Sequence, residues 1–164
     1  MKYPLSSALI IFVFAVFASG QIKYSTYTNE RFPYSIEYPS DLLKMQAPPA
    51  NGDGREFLSK DKSVRMLVWG EYNAAEKSFQ ERYEFDMKGF TEKPTYMVLK
   101  KNWFVLSGVK DGKIFYQKTL YRKTKNEETF FTFTIEYPKT KRAKFDPIVR
   151  RIAASFKFDP NADV

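Results

Sequence analysis

The side chains that could do chemistry in this sequence are carboxylates, lysines and phenols. Histidine and cysteine are both absent. Their absence removes the Ser-His-Asp triad, the cysteine nucleophile and the His-ligated zinc site together. Neither a P-loop nor a G-x-G-x-x-G turn is present to cradle phosphates. General acid–base work would fall to carboxylates, lysine or tyrosine. Asp53, Glu56, Asp61 and Glu71 cluster along the chain, and two carboxyls ~5–9.5 Å apart would serve glycoside hydrolysis. Any acidic loop offers such a pair by chance, so a carboxylate-based glycan hydrolase is only an alternative and the chain is read as a non-enzyme. Asn51, Asp53 and Glu56 offer oxygens around Asn-Gly-Asp-Gly, but not in the layout of a calcium-binding loop. A turn whose glycines take unusual φ, with Asp53 capping local amides, explains the segment better. The reading includes no metal and no cofactor.

Residues suited to contact rather than turnover stand out more. Asn51, Asp53 and Arg55 lie on a loop where a partner could be met. Trp69 alternates with Arg65, Leu67 and Glu71, a mixed strand face suited to partial exposure. Trp103 is expected on the opposite sheet face, and both indoles are read as mainly core. The run KIFYQKTLYRKTK interleaves Phe115, Tyr116 and Tyr121 with Lys118, Arg122, Lys123 and Lys125. It could hold an anionic envelope polymer or lipid headgroups. The competing reading is a strand whose rings are core and whose cations snorkel at the rim. Lys139 to Lys144 form a second basic run, expected as a solvated loop. The candidate partner-binding residues are therefore Asn51, Asp53, Arg55, Trp69, Lys118, Arg122 and Lys123.

The elements that must position these residues begin after a leader. Lys2 precedes the apolar stretch from Ala8 to Phe17, the length of a signal-peptide core and short of the roughly 20 residues that span a bilayer. Ala18 and Gly20 place small residues before a cut at Gln21. Residues 1–20 are read as a cleaved secretory signal and 21–164 as one domain, its core about 24–158. The mature protein would be periplasmic or secreted, without a transmembrane segment. With no cysteine after the apolar stretch, a lipid anchor is excluded. Nucleic acid is not an expected partner of an exported chain. The chain carries 27 basic and 19 acidic side chains, net +8, which favours anionic contacts at low salt. With no disulfide available, packing must hold the fold, and 16 Phe, 11 Tyr and 2 Trp supply it.

Period-two alternation marks strands at 24–28, 34–38, GREFLS, VRMLVWGEY, PTYMVLK, WFVLSGV, KIFYQKTLYRK and ETFFTFTIEYP. Asp111-Gly112 is a two-residue hairpin signal. Short turns between successive strands imply an antiparallel meander. SDLLKMQAPPANGDG is read as a loop with one helical turn at 40–43. Phe79, Tyr83, Met87 and Phe90 form one face of a helix, with Ser78 and Glu81 as a capping box and Gly89 as a left-handed stop. A second helix should start at Asp146-Pro147 and bury Phe145, Ile148, Val149, Ile152 and Phe156. The tail from Phe158 is read as frayed. IEYP occurs at 36–39 and again at 135–138. The flanks differ, so the echo marks two equivalent strand ends, with Tyr38 and Tyr137 inward, and not a repeated site.

The order of FPYSIEYP (32–39), NGDGREFLS (51–59), WFVLSGVKDGKIFYQK (103–118), TIEYP (134–138) and a helix ending at Ser155-Phe156 resembles the PsbP-like superfamily, in its small exported bacterial branch. The resemblance implies an α+β chain folded as an α/β/α sandwich, a central antiparallel sheet with helices on both faces. It also implies an accessory or binding role without shared catalytic residues. One superfamily member assists a small nuclear GTPase, a role that export would not allow here. The functional expectation is an exported, non-catalytic module of the cell envelope. Its partner is expected to be another envelope protein, met through a sheet face or the 51–55 loop.

Overall fold

A computed structural model describes residues 21–160; the expected leader and the last residues of the tail lie outside them. In chain order the elements are β1 (Ser25–Thr28), β2 (Tyr34–Tyr38), β3 (Leu43–Met45), β4 (Gly54–Ser59) and β5 (Arg65–Tyr72). They continue with α1 (Phe79–Gly89), β6 (Tyr96–Leu99), β7 (Trp103–Lys110), β8 (Lys113–Lys123), β9 (Glu128–Pro138), α2 (Arg142–Ser155) and β10 (Lys157–Phe158). Seven strands form an antiparallel sheet in the order β3-β4-β5-β9-β8-β7-β6, and β1-β2-β10 form a second, smaller sheet. The large sheet is thus two meanders joined where β5 pairs with β9, and α1 makes the crossing between them. The hairpin at Asp111-Gly112 is as expected, with φ of 49° and 74°.

Alternation on β9 decides which face carries the core. Val68, Met66 and Leu120 stand opposite Phe133, Ile135 and Phe131. All six are buried, and α2 with the small sheet covers them. Phe156, just beyond α2, meets Phe133 edge-on at 5.3 Å and Tyr34 of β2 at 6.1 Å. Phe145 stacks on Tyr137 at 5.5 Å. Burying each large ring contributes about 1.5–3 kcal/mol. Helix α1 lies on the other face: Phe79 and Tyr83 pack on Phe104 at 5.6 and 5.4 Å, and Phe90, just past the helix, stacks on Phe115 at 4.4 Å. The result is the α/β/α sandwich, with unequal cover on its two sides.

Several boundaries differ from the sequence reading. Helix α2 starts at Arg142, directly after a 3-10 turn at Lys139–Lys141, so the second basic run is helical and not a loop. Asp146 does not cap it. Its carboxylate accepts from Tyr137 Oη at 2.7 Å and from Arg142 Nε at 3.1 Å, and Pro147 sits inside the helix at the cost of one backbone bond. Gly89 is not left-handed: α1 ends with Phe90 in extended conformation. Leu43–Met45 form a strand on β4, where a loop was expected. Lys157 and Phe158 pair with β2, so the tail begins ordered. Both IEYP segments end strands, but in different sheets. Tyr137 is buried, whereas Tyr38 is half-buried against Phe57 at 4.5 Å.

Candidate functional site

The 51–55 loop is held by side chains of β2 and of the turn between β1 and β2. Gly52 has φ +67°, the left-handed conformation that glycine takes without strain. Asn29 Nδ2 donates to the Gly52 carbonyl at 3.0 Å, Tyr34 Oη to the Asp53 carbonyl at 3.0 Å and Arg31 Nη1 to the Asn51 carbonyl at 2.6 Å. Asn29 is itself buried, and its Oδ1 accepts from the amides of Arg31 and Phe32. Burial pushes the Tyr34 phenol well above its ordinary range, so it stays a donor. Asn29 was missed in the sequence, although Asn ahead of a turn is the available signal. Asn51 Nδ2 donates to Asp53 Oδ2 at 2.6 Å, which completes the turn. Arg55 does not face outward as a loop residue would. Opposite Val68, it lies half-buried with its guanidinium 5.4 Å over the Tyr27 ring and Nη1 3.3 Å from the Gln46 carbonyl.

Trp69 is on the α1 face of β5, beyond the helix. It is half-buried, as are Leu67 and Leu58 on the same face, and its Nε1 donates to Glu71 Oε1 at 3.1 Å. A depression of about 250 Å³ joins Trp69 and Leu67 to Asp53 and to the exposed residues Ala47, Pro48 and Pro49. The sequence-predicted residues Asp53 and Trp69 are therefore brought together, with Asn51 on the adjoining turn. Trp103 is on the opposite sheet face and is also only half-buried, so neither indole is fully core.

The basic run does not assemble into a surface. Lys118 points inward, its Nζ donating to the Ala153 carbonyl at 2.6 Å near the end of α2 and lying 5.7 Å from the Trp103 ring centre. Burial lowers its pKa. Arg122 is buried, with Nη1 3.4 Å from Glu127 Oε1. Lys123 is exposed and paired with Glu128. Glu128 also accepts from Asn73 Nδ2 at 2.8 Å, and Lys123, Asn73 and Tyr121 together hold its carboxyl at about 2. Lys141, from the second run, bonds Asp61 at 2.6 Å.

Each of the acids is engaged by a neighbouring side chain. Glu56 accepts from Arg65 Nε at 2.6 Å, Asp61 from Lys141 and Ser59, Glu71 from Arg82, and Asp53 from Asn51. Glu56 stands opposite Leu67, four residues along β5 from Glu71, or ~13 Å at strand spacing. That exceeds the carboxyl separation of a glycosidase pair; Asp53 and Glu56 do line the same Trp69 depression, but each is already engaged, by Asn51 and by Arg65.

A polar seam under α1 escaped the sequence reading. Arg82 donates to Glu71 and Asp86, each at 2.7 Å, with its guanidinium 4.7 Å over Phe130. Asp86 in turn accepts from Gln117 Nε2 at 2.6 Å; Gln117 Nε2 also donates to Thr119 Oγ1, which shares a hydrogen bond with Thr132 Oγ1. Burial raises the pKa of Asp86 against the pull of Arg82. The seam docks a helix that has no fully buried residue. The hidden signal was Arg82, Asp86 and Phe79 sharing helical spacing with Tyr83.

No protein-family model matches the sequence, and no curated protein does. Among solved structures, cyanobacterial PsbP (CyanoP) from Synechocystis sp. PCC 6803 is similar with a TM-score of 0.63 and 11% identity, over 87% of this chain and 96% of that one. The Ran-binding protein Mog1p of Saccharomyces cerevisiae is similar with a TM-score of 0.53 and 9% identity, over 84% of this chain and 96% of that one. At such identities the likeness is one of fold, and the fold is PsbP-like.

Proposed function

We propose that this chain is an exported, non-catalytic accessory module of the cell envelope that docks another protein through the exposed part of the β4–β5 face. The observation that carries the reading is the half-exposed row of Leu58, Leu67 and Trp69 beside Ala47–Pro49, on sheet surface that α1 leaves open. Aromatic and aliphatic side chains in a shallow depression, rimmed by Asn51, Asp53 and Glu56, have the make-up of a docking site with an apolar centre and a polar rim. The reading also draws support from the fold it shares with a Ran-binding protein. Export rests on the leader at 1–20, cleaved near Gly20-Gln21 to leave one domain, 21–164. Among the described residues no helix is long and apolar enough to cross a membrane.

Affinity capture from the organism's own envelope extract tests the reading. The native chain should retain a protein that Trp69→Ser does not, and retention should survive ~1 M salt, where the screening length is about 3 Å. Retention that Trp69→Ser leaves unchanged would place the contact elsewhere. Retention abolished by salt would return the case to a polyanion.

A further inference from the structure

The strand that closes one end of the large sheet is poorly guarded. β6 has a neighbour, β7, on one side only. Three of the six exposed large hydrophobics among the described residues, Tyr96, Met97 and Leu99, lie on its four positions. Tyr96 stands opposite Ser107 and Met97 opposite Leu106, so apolar side chains emerge on both faces. The Lys100 amide donates to the Trp103 carbonyl at 2.9 Å. Alternation along an antiparallel ladder then turns the amides of Met97 and Leu99 away from β7. Outward amides between apolar side chains make a template for an added strand.

The start of β6 opens onto a groove of about 500 Å³ between the sheet and α2, where Tyr96, Tyr116, Tyr137, Arg142 and Arg150 converge. The groove's own carboxylate, Asp146, is occupied by Tyr137 and Arg142. Arg150 is exposed and has no ion-pair partner among the described residues. The same holds for Lys93, Lys100 and Lys101, which flank the strand. Glu92, beside Lys93, offsets only part of this charge.

An apolar edge ringed by uncompensated cations selects its occupant. A second copy paired antiparallel on β6 would bring Lys93 of one chain toward Lys100 and Lys101 of the other, like charge against like. A polyanion would answer the cations but leave the outward amides and the apolar side chains unmatched. An extended acidic polypeptide answers all three. We propose that the β6 edge and the adjoining groove bind an extended acidic segment of another protein by strand addition, with alternate carboxylates meeting Arg150 and the flanking lysines. The β6 edge lies beyond β9, β8 and β7 from the β5 surface that carries Trp69, so the two claims fail independently.

Fluorescence anisotropy of the exported chain with a short labelled peptide of alternating Val and Glu tests this, against the same peptide with Lys for Glu. The Glu peptide should bind saturably and more weakly as salt rises, and the Lys peptide should not bind. Met97→Pro removes an outward amide and no bond to β7, so the fold should stand while binding weakens about tenfold or more. Arg150→Glu, at an exposed position that folding does not need, should also weaken binding. Thermal melts of both variants verify the fold, and if Met97→Pro fails to fold, peptide charge and Arg150→Glu still decide. Undiminished binding to folded Met97→Pro would overturn strand addition. A dimer of the native chain in sedimentation, lost in Met97→Pro, would overturn the acidic occupant in favour of a second copy. Polyphosphate competing as well as the Glu peptide does, on native and Met97→Pro chains alike, would reduce the site to charge alone and overturn the proposal.

Discussion

Two lysines five residues apart on β8, Lys118 and Lys123, show what one-dimensional pattern conveys and where it stops. Alternation placed Lys118 and Arg122 on one face with Tyr116 and Leu120, and Lys123 on the other. It could not say which face is inward, because both carry apolar side chains: Ile114, Tyr116 and Leu120 on one, Phe115 and Tyr121 on the other. Pairing with β9 decides it, and Lys118 becomes a half-buried donor to the end of α2. Lys118→Met should therefore cost about 1.5–3 kcal/mol in urea unfolding, the range of a charged hydrogen bond whose carbonyl is left unmet. Binding to a polyanion column should not change. Lys123 makes the opposite case, since its partner Glu128 titrates in an accessible range. The Glu128 carboxyl sits at about 2 when folded, against an ordinary 4.5. A depressed carboxylate contributes stability that is complete above its unfolded value and fades as pH falls toward its folded one. The native chain should thus lose stability between pH 4.5 and about 2, and Glu128→Gln should lose less over that window when both are followed by denaturant midpoint.

The two helices were legible to different depths. Helix α1 could be placed from its cap: Ser78 Oγ accepts from the Glu81 amide at 3.2 Å, and Glu81 Oε2 accepts from the Ser78 amide at 2.8 Å. How the helix is held could not be read, because its attachment is a long-range polar seam and not an apolar stripe. Helix α2 is the reverse. Its stripe of Phe145, Ile148, Val149 and Ile152 was plain, but its start was misplaced, because Asp146-Pro147 has the form of a cap while Asp146 is committed to Tyr137. The balance of cap against seam can be measured. Ser78→Ala should cost about 1 kcal/mol, as for other lost N-caps. Arg82→Ala leaves Asp86 buried beside Gln117 without its cation, so it should cost more, about 3 kcal/mol. Adding Asp86→Asn to Arg82→Ala should recover part of that loss. Two losses that simply add would mean Arg82 acts through packing on Phe130 and not through the carboxylate.

Across the whole molecule, residue patterns conveyed a sheet and two helices, the resemblance supplied their layer order, and neither conveyed the inequality of the layers. Alternation identified Phe131, Phe133, Ile135 and Tyr137 as one face of β9, and the buried core lies there. The other β9 face carries Phe130 and Thr132, which are equally buried, because a central strand is covered on both sides whatever its pattern. Single strands cannot reveal their place in a sheet, so neither the β5–β9 joint nor the bare edges at β3 and β6 could be foreseen. The consequence is two unequal covers. One side is sealed by α2 together with β1, β2 and β10, and the other by α1, which buries no residue fully and rests on ring contacts and the Arg82 seam. Local opening costs least where apolar burial is smallest. Native-state hydrogen exchange should therefore find the α1 amides opening at well below the global unfolding free energy, while β8, β9 and the middle of α2 exchange only by global unfolding. Such an α1 could lift from the sheet and extend the exposed β4–β5 face toward Phe130 and Gln117 without disturbing the core. Protection of α1 equal to that of β9 would show that the polar seam binds the helix as firmly as an apolar one, and the face open to a partner would then end at Glu71.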